Sequence, residues 1–107
     1  VMRVFLYGTL LRRALLDRLA GRAVPTTPAA VAGWQRVAMR GGAYPTLRRG
    51  RGRVAGCIAT VDAPMLRRLG GYEGARYRLR PLTVQIPRGA VRAHAWIADA
   101  ATRRPWP

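Results

Sequence analysis

Val4-Phe5-Leu6-Tyr7-Gly8-Thr9-Leu10 is an apolar run that stops at a glycine and leads into a helical pattern. The strand predicted from it covers Arg3 to Tyr7, and Gly8 breaks it. Beyond the break, Leu11, Leu15 and Leu19 recur every four residues with Arg12, Arg13 and Arg18 off that stripe, the spacing of an amphipathic helix that Gly21 ends. A strand that turns into a helix leaves backbone N–H groups of the loop and first turn converging on one spot, which suits an anion. Taken alone, Gly8 and Thr9 read more simply as a turn glycine and an N-cap.

Working outward, Pro25 to Pro28 reads as a turn and Ala29 to Met39 as a strand, with Gly33 at a bulge or a close backbone approach. Gly41-Gly42 turns the chain into an extended piece at Tyr44 to Leu47. Arg48 to Gly52 reads as a polar turn before a strand at Arg53 to Val61. Asp62-Ala63-Pro64 is a helix start, because the carboxylate accepts from unpaired N–H groups and proline fits the first turn. Met65, Leu66 and Leu69 supply the buried side of that helix. Gly70-Gly71 is expected to end it, leaving Tyr72-Glu73-Gly74 on a loop. Tyr77 to Ile86 and Ala90 to Ala98 form a hairpin around Pro87-Arg88-Gly89, and Pro81 requires a free edge on its first strand. Six strands and two helices, joined mostly by hairpin-like links, predict an α+β fold: a small, mostly antiparallel β-barrel or roll with two short flanking helices.

A chain of 107 residues, half of them hydrophobic, fits one domain, and we read residues 1–107 as that domain. No apolar run approaches the roughly 20 residues of a membrane span. The opening residues read as a strand rather than the apolar segment of a secretion signal, and Cys57 is the only cysteine, so no internal disulfide can form. A cytoplasmic, reducing setting is expected. The net charge of +16 raises the question of nucleic acid. However, all twenty basic residues are arginine and they are spread along the chain, a pattern that coding bias toward arginine, alanine and glycine produces. Aromatic residues are sparse, which argues against a base-stacking platform.

Glu73 is the only glutamate. A carboxylate facing a pocket serves as a general base near neutral pH if burial raises its pKa. Its neighbours Arg76, Arg78 and Arg80 offer the competing reading of a structural ion pair.

Taken together, these segments resemble the gamma-glutamylcyclotransferase-like family, which includes AIG2-like proteins. The resemblance rests on Val4 to Leu10, Val31-Ala32-Gly33-Trp34, Tyr44-Pro45-Thr46-Leu47, Val54-Ala55-Gly56-Cys57-Ile58, Leu69-Gly70-Gly71-Tyr72-Glu73-Gly74 and Tyr77-Arg78-Leu79-Arg80. It runs from about Val4 to Ile97, and Tyr-Gly-Thr-Leu and Tyr-Glu-Gly are its specific parts. It implies a small barrel with flanking helices and a cofactor-independent, metal-free enzyme. In that enzyme the substrate's alpha-amine attacks its gamma-carbonyl to release 5-oxoproline and an amine. It also implies that Tyr7, Gly8, Thr9 and Leu10 form the substrate loop, that Glu73 is the catalytic acid/base, and that Tyr77 lines the pocket. The family's partner is a small gamma-glutamyl substrate. One departure is that Gly70-Gly71 occupies a stretch where the family often carries an aspartate, so the aim of Glu73 is open. With the chain ending soon after Ala98, the pocket is expected to stand open.

Several residues invite promotion and do not earn it. His94 has no acidic or cysteine neighbour with which to hold a metal. Cys57 sits mid-strand without a basic partner, and Asp62 is a helix cap. Two rival functions follow from the same residues: a catalytically inactive small-ligand module of the same fold, and an arginine-driven nucleic-acid binder.

Overall fold

A computed structural model of the chain describes residues 1–42, 44–99 and 101–106. The elements run β1 (Met2–Leu6), a single 3-10 turn (Thr9–Leu11), α1 (Arg13–Ala20), β2 (Thr26–Met39), β3 (Pro45–Val61), α2 (Ala63–Glu73), β4 (Tyr77–Ile86), β5 (Gly89–Ala98) and β6 (Ala101–Pro105). The sheet order is β3-β1-β5-β4-β2, and β2 pairs back onto β3, so five strands close a barrel. β1 and β5 are parallel and the other pairs antiparallel; β6 lies outside the ring on the far end of β2. The expected mostly antiparallel barrel with two helices is the fold observed.

β1 explains why the opening run is continuously apolar. Val4 and Leu6 pack under the helices with Leu16, Met65 and Leu69. Phe5 and Tyr7 point into the barrel with Val31, Leu47 and Val84. A strand buried on both faces shows no alternation. Gly56 is the point where β3 passes under it: a Cβ there would lie 2.1 Å from the Leu6 carbonyl oxygen.

Three expectations about local structure are corrected. First, Arg48 to Gly52 is not a turn: β3 runs unbroken from Pro45 to Val61, paired with β2 through Gln35↔Arg48 and Trp34↔Arg49. Its glycines are there for space, since a Cβ at Gly52 would come 2.7 Å from the Trp34 carbonyl and one at Gly50 within 2.7 Å of the Gln35 side chain. The strand register shifts between Ala32 and Trp34, as the position of Gly33 suggested. Second, β2 already begins at Thr26, so Pro28 is a strand residue opposite Cys57. Third, the first helix buries Leu16 and Ala20, with Leu15 and Leu19 at the margins, while Leu11 is exposed in the preceding 3-10 turn. That turn rotates the helical stripe by one residue. The strand count among the described residues is six as expected, but only because one merger is offset by β6.

α2 carries the most consequential difference. Asp62 caps it as predicted, its carboxylate accepting from the Met65 N–H at 2.9 Å. The helix then continues through Gly70-Gly71 to Glu73 and ends at Gly74, whose φ of +91° is a conformation that other residues rarely adopt. Two interior glycines cost about 2 kcal/mol of helix propensity. Burial of Met65 and Leu69 and the bond from Arg68 Nη1 to the Ala20 carbonyl, at 3.0 Å, hold the helix against α1 regardless. Among the described residues, no helix is long and apolar enough to cross a membrane.

Candidate active site

Glu73 is therefore the final residue of a helix, not a loop residue, and this fixes its direction. Gly74 turns the chain away behind it into β4 at Tyr77. On the opposite side, β1 ends at Leu6 and the chain passes through Tyr7 and Gly8 into the 3-10 turn, whose first N–H groups, Thr9 and Leu10, have no carbonyl ahead of them within the turn.

These two chain segments meet. A cavity of about 110 Å³ is bordered by all six residues singled out in the sequence: Tyr7, Gly8, Thr9, Leu10, Glu73 and Tyr77. Tyr44, Tyr72 and Trp96 complete its wall. Its volume is below the roughly 300 Å³ of ordinary small-molecule pockets. Of its wall residues, Tyr44 and Tyr72 are exposed to solvent.

Hydrogen bonds hold the walls. The hydroxyls of Thr9 and Tyr72 are 2.7 Å apart, joining the loop to α2. Tyr77 donates to the Pro45 carbonyl at 2.8 Å, and Tyr7 donates to the Trp96 carbonyl. Arg36 Nη1 donates to the Tyr7 carbonyl at 3.0 Å. Burial pushes both wall tyrosines up, Tyr77 to about 12 with the Glu73 charge as a second cause, and Tyr7 further still. Both stay protonated at neutral pH, so they hold and shape the cavity rather than act as bases.

Glu73 is set apart electrostatically. Among the described residues, each of the three aspartates has an arginine partner: Asp17 with Arg13, Asp62 with Arg22 and Asp99 with Arg80. Glu73 has none, so the ion-pair reading with Arg76, Arg78 or Arg80 is not what the structure contains. Half-buried and without a charged partner, its carboxyl is pushed up to about 7 by partial loss of hydration. A carboxyl titrating there can take and return a proton under physiological conditions.

The remaining candidates stay outside the site. His94 pairs with Val4 on β1 and does not border the cavity, and no group of side chains among the described residues could hold a metal. Cys57 is half-buried and its thiol is pushed up by burial, the reverse of an activated nucleophile. Sequence reasoning assigned no role to Tyr44, Tyr72, Trp96 or Arg36. Tyr72 stands directly before Glu73, which was a usable signal; nothing distinguishes Arg36 from the other arginines until its partner is seen.

Comparison with known proteins shows the family and the fold. A family model described as "Gamma-glutamyl cyclotransferase, AIG2-like" matches residues 4–106. A solution structure of a protein from Arabidopsis thaliana superposes with a TM-score of 0.80 at 25% identity over 91% of this chain, which spans 61% of that protein's length. A structure described as a gamma-glutamyl cyclotransferase gives a TM-score of 0.81 at 14% identity, over 94% of this chain and 68% of the other. An AIG2-like protein from Mus musculus gives 0.71 at 24% identity, over 95% and 80% respectively. These likenesses are in fold. No curated protein sequence matches the chain.

Proposed function

The chain belongs to the gamma-glutamyl cyclotransferase, AIG2-like family, and on that premise we propose that it cyclises a gamma-glutamyl compound to 5-oxoproline, releasing an amine, with Glu73 carrying the proton. The observation that carries this reading is the half-buried Glu73, without an arginine partner, sharing one small cavity with the Tyr7–Leu10 loop.

In the proposed reaction, ionised Glu73 removes a proton from the substrate's alpha-ammonium group. The freed nitrogen attacks the gamma-carbonyl carbon, forming the ring C–N bond and an oxyanion. As the oxyanion collapses, the bond to the departing nitrogen breaks and protonated Glu73 delivers its proton there. The ring nitrogen still carries two protons after the attack and gives one to the Glu73 carboxylate regenerated by that delivery, which passes it on to the departing amine; the ring keeps one proton and no co-reactant is consumed. Backbone N–H groups of the Tyr7–Leu10 loop hold the substrate's negative charge, with Tyr77 as a wall. Held between Glu73 and the loop, the amine and carbonyl of a folded glutamyl group would be kept close, and such positioning supplies much of the rate in ring closure.

The family match supports a small gamma-glutamyl substrate and leaves the departing amine unspecified. The cytoplasmic setting and the single-domain organisation expected from the sequence belong to the same proposal. The direct test is 5-oxoproline release across a panel of gamma-glutamyl amino acids and amines. Product from at least one supports the reading, and none across the panel overturns it in favour of an inactive ligand-binding module.

A further inference from the structure

The charge inventory of the cavity is unexpected. In a protein of net charge +16, no arginine borders it, and its one charged wall residue is Glu73. A gamma-glutamyl substrate brings an alpha-carboxylate into this space. Without a compensating positive group, that carboxylate would face another carboxylate in a partly dehydrated site, an arrangement that opposes binding.

One arginine reaches the cavity indirectly. Among the described residues, four arginines donate from their side chains to backbone carbonyls. Arg13 goes to Val24, Arg68 to Ala20 and Arg76 to Arg40, none of which borders the cavity. Arg36 goes to Tyr7, which does. Arg36 is itself well anchored: it is half-buried, its residue pairs with buried Leu47 on β3, and its own carbonyl accepts from the Trp106 N–H at 2.9 Å.

The Tyr7 carbonyl and the Gly8 N–H belong to one planar trans peptide and point in opposite directions. Arg36 holds the Tyr7 carbonyl and does not border the cavity, whereas Gly8 does, so the N–H on the other edge of that peptide points away from the guanidinium at a residue that lines the space. Gly8 has no side chain to cover that N–H. A charge-assisted hydrogen bond to the carbonyl fixes the plane of the peptide and polarises it, strengthening the donor on its other side.

We propose that Arg36 is a positioning residue that aims the Gly8 N–H at the substrate's alpha-carboxylate and supplies the site's positive charge through one peptide unit. This rests on the cyclotransferase reading above and deepens it. Delivery through a peptide has a chemical advantage over a guanidinium in the wall. An arginine in direct contact with Glu73 would stabilise its charged form and pull it down toward the ordinary carboxylate range, where it is a poor proton carrier at neutral pH.

The test is ligand binding to the full chain by calorimetry, comparing 5-oxoproline with 5-oxoprolinamide, which has the same ring and no carboxylate charge. The wild type is expected to prefer the acid by about tenfold, the range of a hydrogen bond to a charged group. Arg36→Met should abolish that preference while leaving amide binding within about twofold, and Arg36→Lys should restore part of it. Equal weakening of both ligands would mark Arg36 as a merely structural residue and overturn the inference, as would an unchanged preference. If Arg36→Met does not fold, the same ratio measured on Arg36→Lys decides, with a several-fold drop expected. A wild type that prefers the acid in this Arg36-dependent way but releases no 5-oxoproline from any gamma-glutamyl compound defeats the reaction and not the anion site. A wild type that turns over with no dependence on Arg36 does the reverse, and one that neither binds nor turns over defeats both.

Discussion

The hydroxyl oxygens of Thr9 and Tyr72 lie 2.7 Å apart although 63 residues of chain separate them. This one contact ties the turn after β1 to the last turn of α2, the two segments that face each other across the cavity. Tyr72→Phe deletes the bond and little else. Because the pair is exposed, the expected stability loss is below about 1 kcal/mol. Activity should change more: we expect KM to rise several-fold as the loop loosens, measured by steady-state kinetics beside a melting curve.

The pH dependence of turnover follows from Glu73. The ionised form is the one that accepts the ammonium proton, and its pKa is about 7. The rate should therefore rise with pH along an acid limb centred near that value, in contrast to an ordinary carboxylate limb near 4.5. A pH–rate profile of kcat/KM reads this directly.

The same burial makes a prediction about stability with the opposite sign from a salt-bridged carboxylate. Glu73 binds its proton more tightly folded than unfolded, so between pH 4.5 and about 7 the native state holds more protons and stability falls as pH rises. Above that window the folded protein carries a desolvated charge. Glu73→Gln removes the charge and should stabilise the protein at pH 8 by about 1–3 kcal/mol, allowing for partial solvation, with little effect at pH 4. Denaturant midpoints at the two pH values test it. A loss of stability at pH 8 would reveal a favourable partner for the carboxylate.

Gly71 is a helix residue with nothing within 4 Å of where a Cβ would stand. Gly71→Ala should therefore raise stability by about 0.5–1 kcal/mol through propensity and unfolded-state entropy. That corresponds to about 2–4 °C in Tm for a domain of this size. If Gly70-Gly71 ended the helix, as their sequence suggests, the substitution would not stabilise.

How much of this was legible beforehand depended on whether the signal was local. The β1 run, the Asp62 cap and the β4–β5 hairpin are written in neighbouring residues and were read directly. The Tyr7–Leu10 loop and Glu73 were singled out because both carry family-specific patterns, although Glu73 was expected on a loop and ends a helix instead. Glycines misled wherever their role was to make room: Gly50 and Gly52 lie under β2, and Gly70-Gly71 continue a helix held by Met65 and Leu69. In each case tertiary packing overrode local propensity. The leucine stripe of α1 was misplaced by one residue because a 3-10 turn is invisible in the spacing of leucines alone. Arg36 was unreadable for a different reason, since its role comes from a single bond across the barrel end.

Release of 5-oxoproline by the wild type and by Glu73→Gln, on the best substrate of a gamma-glutamyl panel, tests the central claim most directly. The account predicts a fall of at least about 100-fold in kcat for the variant, the range of general acid–base catalysis, in a protein that melts at or above the wild-type temperature at pH 8. Equal turnover by the two proteins would contradict it.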